Sequence, residues 1–251
     1  MDDFLLPILA LAFLVVGALY SSVGHAGASG YLAIMALVGI EATVMRPTAL
    51  AINILVASMA SVQFMCAGHF SLKQFWPFAI LSIPAAFLGA TMPIGARPLQ
   101  LAIGAVLLLT AIWMARTAIQ PIASTAPKPP PTSVAVGAGG LIGFIAGITG
   151  TGGGIFLSPI SLYFNWADTK RTAALAAMFI LANSIAGLSG LAVDGWKPDS
   201  SLVVLAGAAG VGGLIGSHLG SRRFGNRSLR SVLAVVLLVA GTKLLVTGLA
   251  T

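Results

Sequence analysis

The run Gly147-Ile148-Thr149-Gly150-Thr151-Gly152-Gly153-Gly154 interrupts an apolar stretch in the second half of the chain, and the run Gly24-His25-Ala26-Gly27-Ala28-Ser29-Gly30 interrupts one in the first half. Five of the eight residues in the second-half run are glycine, and each glycine costs a helix about 1 kcal/mol relative to alanine. Irregular backbone inside a bilayer is tolerated only where protein or a water-filled cavity surrounds it. The two runs therefore predict two helix breaks, each followed by a short helix.

The composition excludes an ordinary soluble protein. Of the 251 residues, 58% are hydrophobic and 8% are charged, and the mean hydropathy is +1.01, whereas a soluble domain carries roughly 25% charged residues. The outer surface must therefore face lipid. The net charge of +7 does not indicate nucleic-acid binding, because the basic residues stand singly or in short runs between apolar segments, as orientation in a membrane requires. The single Cys66 lies in an apolar run and is predicted to be buried.

Charges, prolines and glycine clusters divide the chain into ten apolar segments. A helix needs about 20 residues to span a bilayer, so the second and seventh segments are too short to cross comfortably and the sixth is marginal. The prediction is an all-α polytopic membrane protein with about 8–10 transmembrane or re-entrant helical segments. The segments are 4–23, 27–40, 47–67, 74–94, 99–118, 134–149, 153–166, 172–192, 202–219 and 229–249.

The two halves of the chain resemble each other. A Pro-rich linker at 121–133 separates a predicted first repeat, 1–120, from a predicted second repeat, 134–251. Small residues of the two halves coincide at a nearly constant offset, which favours a duplication of the kind that many transporter folds contain. The pairs are Gly17 and Gly143, Gly24 and Gly150, Gly27 and Gly153, and Ser58 and Ser184 at an offset of 126, with Gly68 and Gly195, and Gly89 and Gly216, at 127.

The basic residues set the orientation. With ten crossings, or with the short segments forming re-entrant hairpins, nine basic residues lie on one side and four on the other. The side with nine is then cytoplasmic, the chain is a multi-pass protein of the cell (inner) membrane, and the repeats are inverted. A competing arrangement of eight spans with parallel repeats gives eight against five. The nine are Lys73, Arg116, Lys128, Lys170, Arg171, Arg222, Arg223, Arg227 and Arg230, and the four are Arg46, Arg97, Lys197 and Lys243.

The two breaks are the predicted binding site for a small anion. A break frees backbone N–H groups at the start of the following helix, and the helix dipole adds partial positive charge there. The alternative is that these glycines only let helices pack closely. His25, the one ionisable residue in either run, is a candidate carrier of a coupling proton, or else a structural histidine bonded to a neighbouring carbonyl. The predicted substrate-binding residues of the breaks are Ser21, Ser22, Gly24, His25, Gly27, Ser29, Thr149, Gly150, Thr151, Gly152, Gly153 and Gly154.

Four further polar residues are candidates for the same site. Arg46 and Arg171 each stand where the third segment of a half begins, and an arginine fork can bind two oxygens of a planar oxyanion. The sequence favours the simpler interpretation of both as orienting or headgroup charges. Asn53 and Asn183, one in each central span, either line a pathway or join two helices by a hydrogen bond.

The stretch from Tyr20 to Leu32 resembles the first repeat of the sulfite exporter TauE/SafE family of permeases. The run from Gly143 to Pro159, with its glycines at 147, 150 and 152–154, resembles the glycine-rich pattern of that family. The resemblance covers essentially the whole chain. It implies a secondary transporter for sulfur-containing anions such as sulfite, sulfonates or sulfoacetate, often working in the direction of export.

The leading hypothesis is therefore a secondary transporter, or permease, that works by alternating access around the two breaks. A passive anion channel is the alternative, and an intramembrane enzyme built on Ser22 and His25 is disfavoured because no acid orients the pair. The glycine run lacks the Lys-Ser/Thr ending of a P-loop, and all six acidic residues are placed at segment ends or in loops, so no cofactor or metal is expected. The expected partners are a small anion, the lipid bilayer and, through His25, a coupling proton. The sequence leaves the oligomeric state open.

Overall fold

A computed structural model describes residues 5–119, 126–193, 201–222 and 227–250, and these residues form ten α-helices. Residues 121–125 of the predicted linker and Gly195 of one glycine pair lie outside the described residues. The all-helical prediction is confirmed, because helices are the regular structure of every described range. The helices are α1 Leu5–Ser21, α2 Ala28–Leu37, α3 Ala42–Cys66, α4 Leu72–Thr91, α5 Ala96–Ile119, α6 Thr132–Thr149, α7 Gly154–Tyr163, α8 Thr169–Val193, α9 Ser201–Arg222 and α10 Arg227–Ala250.

The helices are apolar enough to make this a multi-pass membrane protein. Among the described residues, six helices combine the length and hydropathy of a membrane span: α3, α4, α5, α6, α8 and α9. Of the other helices, α1 has 17 residues, and α2 and α7 have ten residues each. Ten residues reach about 15 Å, half of a bilayer core. The two short helices therefore enter the protein without crossing a membrane by themselves.

The helix boundaries differ from the sequence prediction by up to five residues, and one burial differs as well. The third helix begins at Ala42, five residues before the predicted start, so Arg46 lies within its second turn. The sixth begins at Thr132, inside the predicted linker. Cys66, expected to be buried, is exposed, because it is the last residue of α3 and its apolar neighbours face outward with it.

The helices of one half pack on those of the other in matching pairs. Helix α6 lies against α4, and α1 lies against α9. Gly143 of α6 faces the Ser82 carbonyl of α4, and Gly17 of α1 faces the Ala209 carbonyl of α9. The two pairings correspond when the halves are exchanged, because Gly17 matches Gly143 at an offset of 126 and Ser82 matches Ala209 at an offset of 127. Equal helix order and nearly equal helix lengths in the two halves agree with it. These contacts support the predicted duplication, which stays a prediction.

A methyl group on the packing face of α9 is expected to destabilise the fold. The first side-chain carbon of an alanine at Gly216 would collide with the Ala18 carbonyl of α1, so the helices would have to separate. Overpacking of this kind costs about 1–3 kcal/mol, more than alanine contributes to the helix itself. The Gly216→Ala variant should unfold at a lower Tm in detergent.

Gly207 provides the matched control on the same helix. An alanine there would meet nothing within 4 Å, so Gly207→Ala should keep or raise the Tm through its better helix propensity. Equal Tm values for the two variants would show that the α1–α9 contact does not depend on a bare backbone at Gly216.

Candidate functional site

The first break lies between α1 and α2. Its backbone turns at Gly24 and Gly27, whose φ angles are 79° and 104°. The Ser22 hydroxyl donates to the Leu19 carbonyl in the last turn of α1 at 2.7 Å, and the Ser29 hydroxyl donates to the Tyr20 hydroxyl at 3.1 Å. The Ser21 hydroxyl is buried and has no hydrogen-bond partner among the described residues.

The second break lies between α6 and α7 and depends on glycine for its backbone. Gly152 and Gly153 adopt φ angles of 72° and 83°, a left-handed conformation that costs other residues about 1–2 kcal/mol each. Gly150 ends α6 with a φ of 77° and donates its N–H to the Ala146 carbonyl at 2.8 Å. The Thr149 and Thr151 hydroxyl oxygens lie 3.0 Å apart. Helix α6 therefore stops where the sequence predicts, and α7 restarts five residues later.

The two breaks meet in space. His25 of the first break donates its Nε2 proton to the carbonyl of Gly154, the first residue of α7, at 3.2 Å. The carbonyl can only accept, so Nε2 carries the proton in this arrangement. No side chain caps the first turn of α2 or of α7 in the described structure. The uncapped, positively polarised end of α7 therefore lies beside the first break.

Two asparagines from the central helices α3 and α8 lie in this interior. Asn53 is 0% exposed and donates from Nδ2 to the Ser184 hydroxyl at 3.4 Å. If Gly152 had a side chain, its first carbon would lie 3.0 Å from Asn53 Nδ2 and 3.1 Å from Ser184 Oγ. Both side chains therefore pack directly against the second break. Asn183 accepts from the Ser82 hydroxyl at 2.7 Å, which ties α8 to α4.

Several buried polar atoms in the described residues have no hydrogen-bond partner. They include Asn53 Oδ1, Asn183 Nδ2, and the hydroxyls of Ser21, Ser61, Ser158 and Ser161. A buried polar group left without a partner costs about 1–3 kcal/mol. Both donors and acceptors therefore remain in the interior for a polar ligand or water to satisfy.

Arg46 is buried within the protein, which contradicts the favoured sequence interpretation of it as a headgroup charge. The residue is 5% exposed. Its Nε donates to the Gly147 carbonyl at 3.0 Å, and its NH2 nitrogen donates to the Gly89 and Ala90 carbonyls at 3.1 and 2.8 Å. These carbonyls lie in the last turns of α6 and α4. Carbonyl groups there have no hydrogen-bond partner within the helix and carry partial negative charge. Arg46 thus holds two helix ends beside the second break.

Arg171 lies apart from the two breaks. Its side chain is 60% exposed and pairs with Asp168 at 3.4 Å, and it lines a surface cavity with Lys73 and the linker prolines. The residue of α8 that faces Gly24 of the first break is Ala173, through its backbone, as Arg46 of α3 faces Gly150 of the second break. Residues two positions apart point about 200° away from each other around a helix, so the two arginines are not equivalent. A role for Arg171 in substrate binding stays a prediction.

The structure adds polar residues that the sequence did not single out for the site. Ser184 and Ser82 contact the two asparagines, and Ser158 of α7 lies near His25 in the wall of a small cavity. Serine is common in apolar helices, where its hydroxyl bonds to its own helix, so its identity alone carries no signal. Only the folded chain distinguishes these serines from the others.

The geometry defines a class of protein. A helical chain with several membrane spans, two enclosed helix breaks that meet and unsatisfied polar atoms beside them is typical of a membrane transporter. The sequence profile of the sulfite exporter TauE/SafE family matches residues 9–244. The chain belongs to this family of membrane transporters.

Curated relatives agree with this assignment. The chain is 42% identical over 239 residues to the probable membrane transporter protein y4hK of Sinorhizobium fredii, covering 94% of this chain and 97% of the relative. It is 34% identical over 97 residues to a probable membrane transporter protein of Xylella fastidiosa strain 9a5c, covering 38% of this chain and 37% of that one. No solved structure gives a significant match.

Proposed function

We propose that this protein is a secondary transporter that exports a small sulfur-containing oxyanion, sulfite or an organosulfonate, across the cell (inner) membrane. The single observation that supports the proposal most is the contact between the breaks, where His25 donates to the first residue of α7. An anion at this point would receive backbone N–H groups and the positive ends of helix dipoles. The family name points to sulfite, and such a site favours an oxyanion.

The binding site consists of the two breaks with the side chains that border them. The uncapped N–H groups of α2 and α7 hold the oxyanion. The Thr151 hydroxyl adds a donor when it turns away from the Thr149 oxygen, because Thr149 itself donates to the Ile145 carbonyl. Asn53, at the second break, supplies an amide that turns toward the ligand. Arg46 acts indirectly, because its donors already bond three carbonyls and it holds α4 and α6 against that break.

Uptake into proteoliposomes tests the function directly. Purified protein of known orientation is supplied with radiolabelled sulfite, and in parallel with a small sulfonate. Saturable uptake that shows counterflow is expected, because a carrier binds one substrate per cycle, whereas a passive channel gives neither behaviour. Absence of uptake of both anions by folded protein would overturn the assignment of substrate and leave the membrane fold standing.

His25 is proposed to carry a coupling proton. A pH gradient should then stimulate uptake by the unaltered protein, and His25→Gln should lose that stimulation while glutamine still donates to the Gly154 carbonyl. His218→Gln is the control, because His218 is exposed on α9. Uptake by His25→Gln that still responds fully to the gradient would reduce His25 to a structural link between the breaks.

A further inference from the structure

A small cavity lies beside the first break, near the end of the protein where α8 begins. It lies between the end of α1, α5, α7 and the start of α8, and His25 forms part of its wall. Its volume of about 30 Å³ holds roughly two water molecules, so α5 and α7 must separate further before an oxyanion passes. Its polar lining consists of Tyr20, His25, Thr110, Ser158, Thr169 and Thr172.

Within the described structure, Ser158 is the residue of this cavity wall whose hydroxyl lacks a hydrogen-bond partner. It is 3% exposed, and its hydroxyl has no hydrogen-bond partner among the described residues. The other three buried hydroxyls of the wall already have partners among the described residues. Thr110 donates to the Val106 carbonyl, Thr172 donates to the Ala167 carbonyl, and the Tyr20 hydroxyl accepts from Ser29. The Ser158 proton is therefore not used by any described residue, and it becomes available to an oxyanion when α5 and α7 separate around the cavity.

The contact between α5 and α7 that contains the cavity is here called the open seam. The corresponding contact in the other half, between α10 and α2, is the closed seam, because apolar side chains fill it. When the halves are exchanged at the offsets of 126 and 127, Ser158 of α7 corresponds to Leu32 of α2, and Thr110 of α5 corresponds to Leu237 of α10. Leu32 and Leu237 are buried in one apolar cluster with Ala36 and Ala240. Apolar side chains thus fill the position that polar groups and a cavity occupy on the other side.

A hydrogen bond fastens the closed seam. Lys243 of α10 donates from Nζ to the carbonyl of Leu37, the last residue of α2, at 2.8 Å. The corresponding pair across the open seam is Arg116 of α5 and Tyr163, the last residue of α7. Among the described residues Arg116 makes no such bond, and Tyr163 is 82% exposed. A cation at the negative end of a short helix therefore joins α10 to α2, and no such bond joins α5 to α7 among the described residues.

We infer that the anion moves between the breaks and the Arg116 side of the protein through this cavity, with Ser158 donating to it, and that the Lys243 contact locks the opposite side. This inference rests on the proposed transport function. The basic-residue count assigns the Arg116 side to the cytoplasm, so the structure is the state that faces inward. In the opposite state, α5 closes on α7 with Arg116 at the Tyr163 carbonyl, and α10 leaves α2.

Labelling of single cysteines tests the inference without requiring transport. The exposed Cys66 is first removed as Cys66→Ala, and Ser158→Cys, Thr110→Cys, Leu32→Cys and Leu237→Cys are made in that background. Each is reconstituted in a known orientation and treated with a small, membrane-impermeant thiol reagent from either side. We expect the first two to react from the Arg116 side at least about tenfold faster than the last two react from either side. The reason is that α5 and α7 have to separate only around an existing cavity, whereas the opposite contact is filled by apolar side chains and bonded by Lys243.

The lock is tested by adding Lys243→Ala to the Leu237→Cys protein. Loss of the bond should raise labelling of Leu237→Cys from the Lys243 side and lower labelling of Thr110→Cys, because the two seams alternate. Equal labelling of the matched pairs, or no response to Lys243→Ala, would overturn the inference.

Flux measurements separate this inference from the proposed function. Ser158→Ala should raise the KM for sulfite severalfold and leave the labelling of Thr110→Cys unchanged. Asymmetric labelling without flux of sulfite or sulfonate would retain the pathway and reject the substrate. Flux with symmetric labelling, or an unchanged KM in Ser158→Ala, would retain the transporter and reject the pathway or the role of Ser158 in it.

Discussion

A variant in which leucine replaces Gly152 is expected to fold and to lose roughly a hundredfold or more of its sulfite uptake. The left-handed backbone at this residue, with φ at 72°, costs leucine about 1–2 kcal/mol, which a protein of this size can tolerate. The side chain has no free space, because its first carbon would already lie 2.8 Å from Ile180 and 3.0 Å from Asn53 Nδ2. Leucine would therefore displace the groups that border the second break. Uptake into proteoliposomes, with gel filtration and Tm as checks of folding, measures the effect.

Gly68→Leu separates backbone strain from obstruction of the site. Gly68 has a φ of 75°, nearly that of Gly152, but a side chain there would meet nothing within 4 Å. It should lose only the part of the stability that backbone strain costs, without the overpacking at Gly152, and it should keep its uptake. Full uptake by a folded Gly152→Leu protein would show that the second break does not hold the anion.

Replacing Arg46 with methionine is expected to lower stability by about 3 kcal/mol or more. The change removes three charged hydrogen bonds and leaves the Gly147, Gly89 and Ala90 carbonyls buried without their donor. A loss of this size corresponds to a fall of roughly 10 °C in Tm. Arg46→Lys should lie between, because an ammonium group cannot spread its donors over three carbonyls as the guanidinium fork does.

Arg171→Met is the matched control for this prediction. Arg171 is half-exposed or more, and its pair with Asp168 contributes at most about 1 kcal/mol. Its Tm should stay close to that of the unaltered protein. Similar Tm losses for the two variants would mean that Arg46 acts as a peripheral charge and does not hold the ends of α4 and α6.

The helix breaks could be predicted from the sequence because their cause is local. Consecutive glycines destabilise a helix wherever they occur, and both breaks fall in the runs that predict them. Arg46 could not be interpreted in the same way. Its neighbours in the sequence are those of an interfacial arginine, whereas the carbonyls it bonds lie 43 to 101 residues away.

The sequence by itself determined that this is an all-helical membrane protein of the TauE/SafE type, where its two glycine-rich breaks lie, and which glycines recur in its two halves. These properties follow from hydropathy and backbone propensity, which act over a few neighbouring residues. The tertiary structure alone decided that His25 reaches α7, that Arg46 and not Arg171 supports a break, and that Ser158 faces a cavity while Lys243 closes the opposite seam. The physical reason is that a hydrogen bond or a cavity depends on which distant segments meet, and the order of residues along one helix does not specify its neighbours.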